Sequence, residues 1–162
     1  MIRTYQTEAM ILKCSKIGEA DNRLTVLSPK FGKLFLIARG VRKVTSRKGP
    51  FLDLFNYVKL YLAKGRSFDV ITDVWLLNGF YYMRQDLSRI ACAFKIAELV
   101  GRLIPEGENH ENIFRKVIDI FSNFNTEQSS NESGQTSEFG LFLLHELGYL
   151  PHNINVSGIE LD

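Results

Sequence analysis

The sequence predicts a two-domain chain of class β + α, a small closed five-stranded barrel followed by an α-helical domain. Three observations predict it. Near residue 80 the hydrophobic period changes from two residues, the mark of strands, to about 3.6, the mark of helices. The first 80 residues are cut into short runs by turn-forming Gly, Pro, Asn and Asp. Charge divides at the same place: residues 1–80 carry 14 Lys and Arg against 6 Asp and Glu, and the remainder carries 6 against 12. The expected division is 1–79 for the barrel and 80–162 for the helical domain.

The strands follow in order. Residues 7–15 form the first, broken by Gly18-Glu19-Ala20-Asp21-Asn22. Residues 23–28 alternate, with Leu24 and Val26 on one face and Arg23 and Thr25 on the other. Pro29-Lys30-Phe31-Gly32-Lys33 is a hairpin connection into a third strand, 34–40. A basic loop leads to the fourth, 52–63, where Leu52, Leu54, Val58, Leu60 and Leu62 share a face. Lys64-Gly65-Arg66 turns the chain into the fifth, 68–77. Five short strands in this length suit a small barrel, with a hairpin-rich sandwich as the alternative. From about Tyr81, Leu87, Ile90, Ala91, Phe94, Ala97 and Ile104 fall at helical spacing, until Pro105. Residues 111–124 make a second amphipathic helix. The polar run 125–137 reads as a flexible connector, and 138–149 as a third helix.

Composition narrows the function classes. With 162 residues, 45% hydrophobic and 23% charged, the chain is ordinary globular protein rather than disordered. No apolar run approaches the roughly 18 residues of a membrane span, and the N-terminus lacks a secretory apolar region, so a cytoplasmic location, at the nucleoid, is expected. Phosphate-loop, zinc-protease, nucleophile-elbow and dinucleotide-binding motifs are all missing from the sequence, which offers no case for an enzyme. His110, His145 and His152 lack ligand partners at metal spacing, so neither metal nor cofactor is expected, and His145 reads as a packing residue. Cys14 and Cys92 read as small core hydrophobes. Glu19 and Asp21 suit a local turn bond or an ion pair with Arg23.

The basic half holds the candidate binding residues. Arg39, Arg42, Lys43, Arg47 and Lys48 lie within ten positions, separated by Gly40, Thr45 and Ser46. Such a loop suits phosphate, because small residues let backbone N–H groups approach while the cations supply charge. The alternative is a solvated loop without a ligand. On the outer face of the fourth strand stand Phe55, Tyr57, Lys59 and Tyr61; Phe35 and Arg39 share a face of the third, and Arg23 sits on the second. Aromatics interleaved with cations can stack unpaired bases, with Phe35, Tyr57 and Tyr61 as candidates. The same aromatics could instead dock the helical domain, and alternation alone leaves both accounts open.

Several short motifs, in order, resemble the RecO family of bacterial recombination mediators. They are Glu8-Ala9 with Cys14, Gly18-Glu19-Ala20-Asp21, Leu24-Thr25-Val26-Leu27, Gly32-Lys33, Ala38-Arg39-Gly40-Val41-Arg42 with Ser46, and Phe142-Leu143-Leu144 with Leu147-Gly148-Tyr149-Leu150-Pro151. The resemblance implies an oligonucleotide/oligosaccharide-binding (OB) barrel followed by helices. It also implies binding of single- and double-stranded DNA, strand annealing, and assistance with RecR in loading RecA. A further implied partner is the acidic tail of single-stranded-DNA-binding protein. Lys33, Arg39 and Arg42, and more loosely Lys43 and Arg47, match the basic barrel motif; Arg23 and Lys48 join them on the residue reading. Family members usually continue past the Gly-Tyr-x-Pro segment, often through a four-cysteine zinc module, so this chain reads as a shortened or truncated member without that site. A protein-interaction module and an RNA-binding OB protein are the rival functions.

Overall fold

The computed structural model describes residues 3–128 and 131–150. Five strands, β1 (Thr4–Ile17), β2 (Asp21–Ser28), β3 (Gly32–Ala38), β4 (Tyr57–Ala63) and β5 (Asp69–Asn78), precede three helices, α1 (Leu87–Leu103), α2 (Glu111–Phe124) and α3 (Glu132–Glu146). The strands close a barrel in the order β1-β2-β3-β5-β4, which is the OB arrangement. Closure depends on β1, whose second half pairs with β2 and whose first half pairs with β4. A short parallel contact between β3 and β5 completes the ring.

Alternation fills the barrel: Leu24, Val26, Leu36, Val58, Leu60 and Leu62 all point inward and are buried. One register shift in β1, between Ile11 and Lys13, changes the pattern. Ala9 and Ile11 point into the barrel while Met10 and Leu12 point outward into the helical core, and the bulge then turns Lys13 outward beside Leu12.

The fourth strand differs from its expectation. It begins at Tyr57, after a 3-10 turn at Gly49–Phe51. Phe55 has φ of 68°, in the left-handed region. That reversal takes its ring off the barrel exterior and buries it among the helices, edge-on to Phe94 at 4.9 Å and Phe121 at 5.7 Å. The backbone conformation costs about 1–2 kcal/mol. Burying the ring returns roughly 1.5–3 kcal/mol, so packing decides the outcome.

The helices depart from expectation in three places. Leu87, expected in the apolar stripe, is 82% exposed at the first position of α1, and Phe94 is 52% exposed. Asp86 caps α1 by accepting from the N–H groups of Ser88 and Arg89, so the helix starts later than Tyr81. Residues 132–137 of the polar run are helical, because α3 begins at Glu132 with the Asn131 side chain accepting from Gly134 N–H. Arg89 organises this region. It is buried, pairs with Glu132 at 3.1 Å, and donates to the carbonyls of Phe124, Thr126 and Gln128. His152 and the C-terminal segment from Pro151 lie outside the described residues.

Candidate nucleic-acid interface

The helices cover one end of the outer β1-β2-β3 surface, over Leu12 and Leu27, and leave the next rows open. Register places Lys13, Thr25 and Phe35 side by side, and Ser15, Arg23 and Ile37 in the following row. The Arg23 guanidinium lies 4.8 Å from the centre of the Phe35 ring and 5.0 Å from that of Phe68. Phe68 arrives from the turn between β4 and β5, which also presents Arg66 to solvent. Two exposed or half-exposed aromatic rings held beside a guanidinium form a platform with π-faces and a positive charge.

The basic loop leaves this same end of β3 and is folded rather than open. Asp21 Oδ1 accepts from Gly40 N–H at 2.7 Å, instead of making the local bond or Arg23 pair expected of it. Arg42 Nε donates to the Asp21 carbonyl at 3.2 Å, and Arg42 Nη2 to those of Ile17 and Gly18. Two backbone turns follow, Lys43 N–H to Gly40 and Ser46 N–H to Lys43. Arg39, Lys43 and Arg47 are exposed, with no acidic partner among the described residues, and Lys48 is half-buried. Arg42 is thus occupied in locking the loop to the β1–β2 turn, which leaves the outward charge to its neighbours.

Other expected residues are distributed differently. Lys33 Nζ donates to the Gly101 carbonyl of α1 at 2.9 Å and lies 5.6 Å from the Phe35 ring centre, so it fastens the helix to the barrel. Tyr57 docks the helical domain: its ring meets Phe114 edge-on at 5.9 Å, and its hydroxyl donates to Glu8 Oε1 at 2.5 Å. Tyr61 remains on the outer surface, half-buried, with the Lys59 ammonium 5.9 Å from its ring centre. Cys92 is buried, but Cys14 is at the surface, where burial of its sulfur and the Asp53 carboxylate push the thiol up to about 11. Sequence reasoning missed Phe68, because it precedes β5 in a turn and only barrel closure brings it over Arg23. It also missed Trp75, 62% exposed and directly opposite Lys59, although strand alternation could have placed it there.

Comparison with known proteins gives two adjoining matches. The family model for the Recombination protein O N terminal covers residues 1–80, and that for the Recombination protein O C terminal covers residues 84–153. The chain belongs to the RecO family. Relatives named DNA repair protein RecO include one from Roseiflexus sp. (strain RS-1), 37% identical over 92% of this chain and 52% of its own length. Another, from Dehalococcoides mccartyi (strain ATCC BAA-2266 / KCTC 15142 / 195), is 32% identical over 91% of this chain and 57% of its own length. The chain thus spans about half the length of these RecO relatives. Among the described residues no group of three or more His, Cys, Asp and Glu could hold a metal, and no helix is long and apolar enough to cross a membrane.

The RecO-like motifs include the locking residues just described, Gly18, Asp21, Gly40 and Arg42. A second clasp joins the two matched portions. Arg115 of α2 donates to Glu8 Oε2 of β1 at 2.9 Å, beside the Tyr57 hydroxyl. Partial burial would raise the Glu8 carboxyl, but the hydrogen bonds from Tyr57 and Arg115 outweigh it and hold it below the usual range. Burial, then the bond to Glu8, pushes the Tyr57 hydroxyl up to about 12.

Proposed function

We propose that this RecO-family chain is a non-enzymatic DNA-binding mediator of repair. It would bind single- and double-stranded DNA, anneal complementary single strands, and act with RecR in loading RecA on DNA coated by single-stranded-DNA-binding protein. The Arg23–Phe35–Phe68 platform carries this reading, lying on the strand 2–3 face where OB barrels take oligonucleotides. Bases stack on the platform, while Arg39, Lys43, Arg47 and Lys48 hold the phosphates. Two strands brought to one cationic surface repel each other less, so pairing proceeds without a catalytic group. Arg42 and Lys33 serve by positioning the loop and α1. The acidic tail of single-stranded-DNA-binding protein remains a family-implied partner.

The test is a titration of single-stranded DNA, duplex DNA and RNA of the same sequence at two salt concentrations. Binding to DNA that weakens steeply with salt supports the reading. Salt-insensitive or absent DNA binding refutes it, and a clear preference for RNA moves the chain to the RNA-binding class. One observation also favours a protein-docking role: Trp75, Leu76, Leu77, Tyr81 and Tyr82 are all exposed within eight positions. If RecR occupies that strip, the complex survives salt that abolishes DNA binding.

A further inference from the structure

Where α1 stands over the open rows of the barrel it leaves a groove of about 640 Å³. Lys13, Thr25 and Phe35 form its floor; Phe94, Glu98 and Arg102 of α1 form the facing wall. The wall is fixed in two ways. Lys33 is bonded to the Gly101 carbonyl at 2.9 Å, and the Phe94 ring rests edge-on against buried Phe55 at 4.9 Å while 52% of the residue stays exposed. A large aromatic held rigidly in the open loses little entropy when a flat ligand covers it.

The chemistry of the walls defines that ligand. Two aromatic side chains line the groove: Phe94 is half exposed, while Phe35 already carries the Arg23 guanidinium and the Lys33 ammonium over its ring. Lys13, Lys33 and Arg102 supply three cations against the single carboxylate of Glu98, itself paired with Arg102 at 2.8 Å. The site therefore favours a ligand that is flat, aromatic and anionic, and the groove runs on from Phe35 of the Arg23–Phe35–Phe68 platform. We propose that it takes an unpaired nucleotide of a single strand crossing that platform, so the helical domain takes part directly in selecting single strands over duplex. In a duplex the bases are stacked and paired, so no π-face is free to meet Phe94. This inference rests on the DNA-binding reading above.

Three ligands of equal phosphate number test it by fluorescence anisotropy: oligo-dT, an abasic deoxyribose-phosphate oligomer, and duplex DNA. Phe94→Ala should lower affinity for oligo-dT about tenfold, the scale of one base stack, and leave the abasic oligomer and the duplex unchanged. Phe94→Tyr should retain parental binding. Arg102→Glu, at an exposed position, should weaken oligo-dT and abasic oligomer alike. Should Phe94→Ala fail to fold, thiol labelling of the parent decides, because Cys14 lines the groove and Cys92 is buried. Oligo-dT should then slow Cys14 labelling while duplex does not. The proposal is overturned if Phe94→Ala binds oligo-dT as the parent does, or if duplex protects Cys14 equally. It is also overturned if an acidic peptide fills the groove in a Phe94-dependent way while oligo-dT binding is untouched. In each of these cases parental DNA binding still stands, whereas a parent that binds no DNA refutes the reading beneath it.

Discussion

Replacing Arg39, Lys43 and Arg47 together by Gln tests the basic loop most directly. All three are exposed and lack acidic partners among the described residues, so their loss should remove charge without breaking a bond that holds the fold. Each phosphate contact on a single strand contributes about −0.7 to the slope of log affinity against log salt. If each cation holds one phosphate, the triple variant loses about 2 from that slope. At ~0.1 M salt the same three contacts amount to about two log units, or roughly 100-fold in affinity. The assay is anisotropy of a labelled oligo-dT across a salt series. Arg42→Gln is the matched control, since its guanidinium is already bonded to the carbonyls of Ile17, Gly18 and Asp21. It should reduce stability by about 1.5–3 kcal/mol, the range for bonds to a charged group, before it changes the slope. A triple variant with the parental slope would refute the placement of phosphates on this loop.

Three further outcomes follow from the packing. Arg89→Met should cost about 3 kcal/mol, the lower part of the range for breaking a buried pair, because the freed Thr126 and Gln128 carbonyls can reach water. Urea unfolding with an unchanged m-value measures it, and a loss below about 1 kcal/mol contradicts the role given to Arg89. Glu8→Gln should flatten the acid side of the stability profile. A carboxyl held low in the folded state stabilises above its ordinary pKa and loses that contribution as pH falls through the lowered value, so urea midpoints between pH 7 and 3 should converge for parent and variant. Gly32→Ala should cost more than the roughly 1–2 kcal/mol of a left-handed residue, since φ is 61° and an added Cβ would lie 2.2 Å from the Glu108 carbonyl oxygen. A melting temperature equal to the parent's would exclude that clash.

The strand pattern carried much of the fold in advance because a closed barrel enforces inward and outward alternation, as Leu24, Val26, Val58 and Leu60 show. Where local backbone breaks the period, alternation misleads. The left-handed Phe55 sends its ring to the helical core and the bulge after Ile11 turns Lys13 outward, and neither has a Gly or Pro at that position to announce it. Composition misled at 125–137 for a different reason. A helix capped by Asn131 and anchored from Glu132 to Arg89 needs few apolar residues in its first turns. At the candidate interface, Arg23 and Phe35 were each legible as outer-face residues because both obey the period, but their contact was not. Phe68 was not, since its partner lies 45 positions earlier and only the β3–β5 contact brings them together. Lys33 and Arg42 matched the family's basic motif, but a motif records residue type and not whether a carbonyl already holds the charge.

The division of charge admits a plain alternative, that a basic barrel and an acidic helical domain simply attract each other. Attraction of that kind would set barrel cations against helix carboxylates. The ion pair joining the halves among the described residues has the opposite sense: Arg115 comes from the acidic half and Glu8 from the basic one. Lys33, the barrel cation that does reach a helix, meets the Gly101 carbonyl and no carboxylate. Apolar contact fastens the domains instead, through Met10, Leu12 and Leu27 of the barrel and Phe114 and Phe121 of α2. Lys33 and Arg42 are spent on carbonyls, but the barrel's excess of 14 basic over 6 acidic residues is not consumed by carboxylates of the helical domain. Charge of one sign left outward over one face repels itself, at a cost to the fold that an arriving polyanion would remove. Under the function proposed here, DNA would be that polyanion.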